Sequence, residues 1–255
     1  MRTIPKSLID KTKEAQEAVG RFLLPEDGLQ NTLSEACNYS VTAGGKRLRP
    51  VIMKAVYEAF GGKGDAIEPF MAAMEMIHSF SLVHDDLPCM DNDEYRRGKL
   101  TTWKKYGYAM GVLAGDGLLA EAFKTAACAA EYGASPERVL KAIEILARKS
   151  GVSGMIGGQS LDVEKTGQKL NPEELDFIFR LKTAALLEAS MMIGCVMAGG
   201  DDASVKECEA IASLIGQAFQ IRDDILDETA TSEQLGKPAG SDRRNEKTTY
   251  VTLHG

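Results

Sequence analysis

The sequence predicts an all-α protein, a single large bundle of about ten or more helices around a central cavity, with residues 1–255 forming one domain. Three observations carry that expectation. Apolar residues recur with helical period almost throughout, and alternating β-branched runs are few. Gly and Pro sit at plausible helix ends. No shift in composition and no low-complexity segment marks a domain boundary.

The spacing places helices over roughly 5–23, 28–42, 46–61 and 66–86, the last two parted by the joint Gly61-Gly62-Lys63-Gly64. A long helix is expected over 101–131, rich in Ala and Gly from 109 onward, so that neighbouring helices can approach closely. The next, over 136–149, opens on Ser135-Pro136-Glu137, and 153–166 follows it. Asn171-Pro172-Glu173-Glu174 supplies an N-cap, a proline at the first helical position and acidic first-turn residues for a helix over 172–199. Small residues recur along its second half, which ends in Gly199-Gly200-Asp201-Asp202. A helix over 203–228 and one from 243 onward complete the pattern, the last reading as a helix just begun, so that closing C-terminal helices are expected to be lacking.

Two aspartate clusters stand on this scaffold: Asp85-Asp86-Leu87-Pro88-Cys89-Met90-Asp91 and Asp223-Asp224-Ile225-Leu226-Asp227. Adjacent carboxylates repel, and desolvating them beside an apolar helix is costly. One such pair is ordinarily a solvated helix end. Two, each after an apolar helix and with basic residues nearby, point to a bound cation. Oxygen-only ligands select hard cations, and Mg²⁺ commonly completes its shell with water and substrate phosphates. Asp223 and Asp227, four apart, lie about 40° from each other around a helix and share a face. Asp85 and Asp91 are six apart and would diverge by about 120° on a regular helix. Pro88 breaks the helix between them, so the chain can loop out and bring Asp91 back.

Composition narrows the function. A net charge of −7 over 255 residues argues against a nucleic-acid binder, although Lys46-Arg47-Leu48-Arg49 is a local basic cluster. Five cysteines without paired spacing suggest reduced thiols, and no Cys or His has the spacing of a zinc site. The N-terminus lacks an apolar signal region. The longest apolar stretch, around 184–200, contains Glu188, so no integral membrane segment is expected and the protein should be cytoplasmic.

An ordered set of motifs then resembles the trans-isoprenyl diphosphate synthase family, close to its bacterial farnesyl diphosphate synthases. The set runs from Gly44-Gly45-Lys46-Arg47-Leu48-Arg49-Pro50 through His78–Gly98, Gly115-Asp116, Gly158-Gln159-Ser160-Leu161-Asp162 and Lys182-Thr183. It continues with Phe219–Asp227 and with Leu235-Gly236-Lys237-Pro238 through Lys247-Thr248-Thr249-Tyr250. The resemblance implies head-to-tail condensation of isopentenyl diphosphate with an allylic diphosphate in a homodimer. It implies three Mg²⁺ ions held by Asp85, Asp86 and Asp91 on one side and by Asp223 and Asp224, with Asp227, on the other. By the same match Lys46, Arg49, His78 and Arg97 hold isopentenyl diphosphate. Arg96, Lys182, Lys237 and Lys247 hold the allylic diphosphate with Thr183 and Gln220, and Gln159 and Asp162 line the cavity. Phe80, with Ser81, stands where the family sets product length, and an aromatic residue there implies farnesyl diphosphate, with geranylgeranyl diphosphate as the alternative. Two positions depart from the pattern: Trp103 stands where the family has His or Asn, and Leu100 where it has Pro. A terpene cyclase would be expected to lose the second DDxxD, and a non-catalytic subunit to lose metal ligands or arginines. Every residue named here is present.

Overall fold

The computed structural model describes residues 5–229 and 251. Helices α1 (Lys6–Gly20), α2 (Asn31–Val41), α3 (Leu48–Ala59) and α4 (Glu68–Asp85) follow the periodicity to within a few residues at each end. The apolar run of α4 explains its place. Phe70, Met71, Met74, Met76 and Ile77 are buried on different sides of it, so it forms the axis of the bundle. Helices α1, α2 and α3 pack around it, as does α6 (Tyr108–Ala127).

The second half repeats this arrangement around another apolar axis. Helix α7 (Pro136–Ser150) starts at the Ser135 cap and is followed by α8 (Met155–Glu164). Asn171 and Glu174 form a reciprocal capping box at the start of α9 (Pro172–Ile178), with backbone-to-side-chain bonds of 2.9 and 3.0 Å. A π-helical turn, Phe179–Ala184, leads into α10 (Ala185–Ala198). The small residues of α10 bring it close to α3: a Cβ on Gly194 would stand 2.5 Å from the Met53 carbonyl oxygen. Helix α11 (Asp202–Thr229) packs on α10 and on the π-turn.

Two expectations are corrected. The helix over 101–131 is three pieces, preceded by a hairpin. Strands β1 (Tyr95–Arg96) and β2 (Lys99–Leu100) pair antiparallel, Tyr95 opposite Leu100, around Arg97 and Gly98 at φ 54° and 74°. Positive φ at both turn residues matches the twist of a two-residue hairpin. The short α5 (Thr102–Tyr106) then stops at Gly107, whose φ of 96° no helix accommodates, and α6 ends in a 3₁₀ turn at Cys128–Ala130. The stretch 172–199 is helical throughout but π-wound in its middle.

The longest apolar stretch extends beyond the expected 184–200 and reaches membrane-spanning length by composition. Pro172–Ala198 is long and apolar enough by composition, and 72% of its most apolar window is buried inside the bundle. Glu188 on it is ion-paired to Lys149, as suits a core helix. Of the expected helix from 243, only residue 251 is described, and it is helical; Lys237 and Lys247 lie outside the described residues.

Candidate active site

Helix α4 ends at Asp85, and the chain folds back at once. The Asp91 amide donates to the Asp85 carbonyl oxygen at 2.8 Å and the Asn92 amide to that of Leu87 at 3.1 Å. The loop around Pro88 therefore returns Asp91 to the helix end, as the six-residue spacing requires. Asp85 is half-buried and accepts a 2.9 Å bond from Gln159 Nε2 on α8. Burial pushes its carboxyl up to about 6, against the pull of Lys182 and with added repulsion from Asp91. Asp86 is 3% exposed and takes both prongs of the Arg96 guanidinium at 2.6–3.0 Å. Burial raises its carboxyl too, with Arg96 opposing.

The hairpin is what puts Arg96 and Arg97 on opposite errands. Arg96 turns to Asp86, whereas Arg97 donates to the Gly44 carbonyl oxygen and faces the loop 43–47. Gly45 (φ 131°) permits that approach, since a Cβ there would meet Arg97 Nη1 at 2.7 Å. Trp103 and Leu100 both anchor the hairpin. The indole donates to the Asp93 carbonyl oxygen at 2.9 Å, and the Leu100 carbonyl accepts from the Tyr39 hydroxyl at 2.7 Å.

A cleft of about 580 Å³ opens between this loop, α4 and α11, lined by Lys46, Arg49, Glu75, His78, Arg97 and Phe219 among others. Lys46 is exposed, and the buried Nε of Arg49 finds no acceptor among the described residues. Burial, and then the charges of Arg49, Arg97, Arg47 and Arg96, hold His78 well below the ordinary imidazole range. The imidazole is therefore neutral at neutral pH, with one ring nitrogen able to donate and the other to accept.

Beside the acidic end of α4 lies a second wall. The π-turn presents Lys182 and Thr183 together, and π-winding of this kind is a recurrent feature of functional sites. Lys182 Nζ stands 2.6 Å from Asp162 Oδ2, and Thr183 Oγ1 donates to Gln220 Oε1 at 3.1 Å. Gly158 lets α8 sit against this turn, because a Cβ there would meet the Lys182 amide nitrogen at 2.4 Å. Asp223, Asp224 and Asp227 belong to the helical backbone of α11, and their side chains lie outside the described residues.

Among the described residues, no three carboxylate, imidazole or thiol side chains converge as a preformed metal cage. The donors that are gathered fit Mg²⁺ nonetheless. They are all oxygen, and two of the carboxyls are raised by burial, which is the condition a cation relieves. Phe80 is 4% exposed, with its ring edge-on to His84 at 5.9 Å, and Ser81 Oγ donates to the His78 carbonyl at 2.9 Å. Two features carried no sequence signal that was read: the π-turn, and the ion pair of Arg47 with Glu75. The hairpin could have been found from Gly98 between short polar and aromatic residues.

Fold and site together define a class: an all-α bundle with a carboxylate cluster at the end of its axial helix and two basic walls beside it. Known proteins agree. The polyprenyl synthetase family model matches residues 30–255. Over 249 residues the chain is 42% identical to farnesyl diphosphate synthase of Geobacillus stearothermophilus, covering 97% of this chain and 84% of that one. It is 47% identical over 227 residues to the heterodimeric geranylgeranyl pyrophosphate synthase large subunit 1 of Arabidopsis thaliana, covering 88% of this chain but 61% of the relative. A crystal structure of Helicobacter pylori geranyltransferase, complexed with magnesium and isoprenyl diphosphate, superposes with a TM-score of 0.84 at 30% identity, covering 98% of this chain and 84% of that one. This chain belongs to the polyprenyl synthetase family.

Proposed function

We propose that the protein is a Mg²⁺-dependent prenyltransferase that joins isopentenyl diphosphate head to tail to dimethylallyl and geranyl diphosphates, with farnesyl diphosphate as the main product. One observation carries the reading. The half-buried Asp85 and the buried Asp86 adjoin two separate basic walls, one with Lys182 and one with Lys46, Arg49, His78 and Arg97. A single anionic ligand would need one wall.

In this reading Asp85, Asp86 and Asp91 hold Mg²⁺ on one side, with Asp223, Asp224 and Asp227 opposite. Bound there, Mg²⁺ supplies Lewis-acid stabilisation of the charge that develops on a departing diphosphate. Lys182 and Arg96 add fixed positive charge for the allylic diphosphate, with Lys237 and Lys247 in the same role. Thr183 and Gln220 orient that group, and Gln159 and Asp162 hold Asp85 and Lys182 in place. Arg49 and Arg97 suit bidentate contact with the isopentenyl diphosphate, Lys46 acts as a point charge, and neutral His78 adds a hydrogen bond. The apolar bundle excludes water from the allylic cation, so the isopentenyl double bond captures it, and the resulting cation loses a proton that the released diphosphate would accept. Phe80 and Ser81 lie four to five residues before Asp85, about 6–7.5 Å deeper along α4, and Phe80 is read as the floor that stops growth at fifteen carbons. Geranylgeranyl diphosphate is the alternative product, since synthases of both kinds are comparably similar. A homodimer in the cytoplasm, with residues 1–255 forming one isoprenyl synthase domain, completes the reading.

The test is diphosphate release from dimethylallyl and isopentenyl diphosphates with and without Mg²⁺, followed by chromatography of the product. Mg²⁺-dependent release and a fifteen-carbon product are expected. No release from the paired substrates would reject the activity, and a twenty-carbon product would replace the specificity.

A further inference from the structure

Lys46, Arg47 and Arg49 stand in one basic run, yet their side chains part company. Lys46 is exposed at the cleft, and Arg49 brings to the cleft wall an Nε that has no acceptor among the described residues. Arg47 also lines the cleft, but it is 2% exposed and its donors are taken up by neighbouring protein groups. Its Nε donates to Gln16 Oε1 on α1 at 2.6 Å, its Nη2 to the Val41 carbonyl at the end of α2 at 2.6 Å, and its Nη1 to Glu75 on α4. One guanidinium thus ties three helices to the loop that carries Lys46.

The backbone supports the same conclusion. Arg47 has φ 48° and ψ 33°, a left-handed conformation that side chains other than Asn, Asp and Gly seldom adopt. Such a conformation persists where the surroundings over-determine it. Arg47 is the N-cap residue of α3, so its backbone sets where Arg49 stands in the first turn and where Lys46 leaves the loop. Glu75, its ion-pair partner, lies three residues before His78 on the same face of α4. Lys46, Arg49 and His78 are therefore spaced by a single buried fork.

We infer that Arg47 is a positioning residue for the isopentenyl diphosphate side of the site: its fork to Glu75, Gln16 and Val41 sets the spacing of Lys46, Arg49 and His78, and it does not itself touch the diphosphate. This rests on the function proposed above. Lysine cannot replace it, because a single ammonium does not span three acceptors in fixed directions.

The experiment compares Arg47→Lys, the pair Arg47→Met/Glu75→Met, and Gln16→Ala with the parent chain. The double variant removes both charges at once, so it leaves no lone buried ion and no change in the net charge of the cleft. Melts followed by circular dichroism identify the folded variants, and Gln16→Ala, which releases one contact of a half-buried residue, keeps the test open if the others unfold. For Arg47→Lys and the double variant, KM for isopentenyl diphosphate should rise about tenfold or more, while KM for dimethylallyl diphosphate stays within about twofold. Gln16→Ala should raise the same KM by about threefold. An unchanged isopentenyl KM in a folded variant, or an equal rise in both constants, overturns the inference. A parent chain that binds neither diphosphate in calorimetric titration overturns the functional reading itself, and the inference with it.

Discussion

Asp85 is half-buried, its carboxylate accepts from Gln159, and its carboxyl is raised to about 6. A cation would relieve that cost, so Asp85→Ala should lower Mg²⁺-dependent turnover by about 10²–10³-fold with little effect on helicity. Steady-state kinetics beside circular dichroism checks this, and near-parental turnover would remove Asp85 from the metal site. His78 offers a test through stability. Its folded pKa is depressed below the ordinary 6.5, so the unfolded chain binds a proton that the folded chain refuses. The stability this contributes is complete above about pH 6.5 and is lost as pH falls toward the folded value. His78→Gln should therefore lose less melting temperature than the parent between about pH 7 and pH 5. Equal losses would show that burial of this imidazole is not linked to acid sensitivity. Phe80 is fully packed, edge-on to His84. Phe80→Ala should open space below the acidic cluster and shift products to twenty carbons or longer, at a stability cost of about 3–5 kcal/mol. A fifteen-carbon product from a folded variant would leave chain length to other residues.

At the scale of elements, the contact between α8 and the π-turn has the least tolerance. The Gly158 Cα faces the Lys182 backbone, and a Cβ would also stand 2.9 Å from Leu181 Cβ. Gly158→Val must push the two segments apart, at about 1–3 kcal/mol. Because Lys182 and Thr183 ride on that turn, KM for the allylic substrate should rise more than KM for isopentenyl diphosphate. Kinetics with each substrate varied in turn checks the split, and an equal rise would detach the turn from allylic binding. The element boundaries show where periodicity runs out. Helices α1 to α4 are visible in sequence because their apolar positions repeat and glycine joints flank them. Gly107 and the π-turn are not, since one residue with positive φ or one extra residue in a helix barely disturbs the apolar spacing.

Across the whole molecule, buried charge adds to packing, and in the second half it ties the axis α10 to both α7 and α11. Lys149 on α7 is 8% exposed and meets Glu188 of α10 and, at 2.6 Å, Glu209 of α11. Removing one partner of a buried pair strands the other, so Glu188→Ala should cost about 3–5 kcal/mol, softened by the more exposed Glu209. The double variant Lys149→Met/Glu188→Leu should recover most of the loss in a denaturant melt. No recovery would mean that packing at Glu188, and not its charge, carries the stability.

The acidic clusters, the glycine-flanked helices and the basic residues were all determined by local chemistry. A carboxylate pair at an apolar helix end is anomalous wherever the chain goes, and helical period is a property of neighbouring residues. The partition of Lys46-Arg47-Leu48-Arg49 was a different matter. Three cations of like type stand within four residues, and nothing in their order says that Arg47 turns inward to Glu75 while Arg49 remains on the cleft. Nor does the order of Arg96 and Arg97 say which one grips Asp86 and which reaches Gly44. Those choices depend on acceptors 10 to 53 residues away in sequence, which only the packed bundle and its hairpin bring within hydrogen-bonding distance.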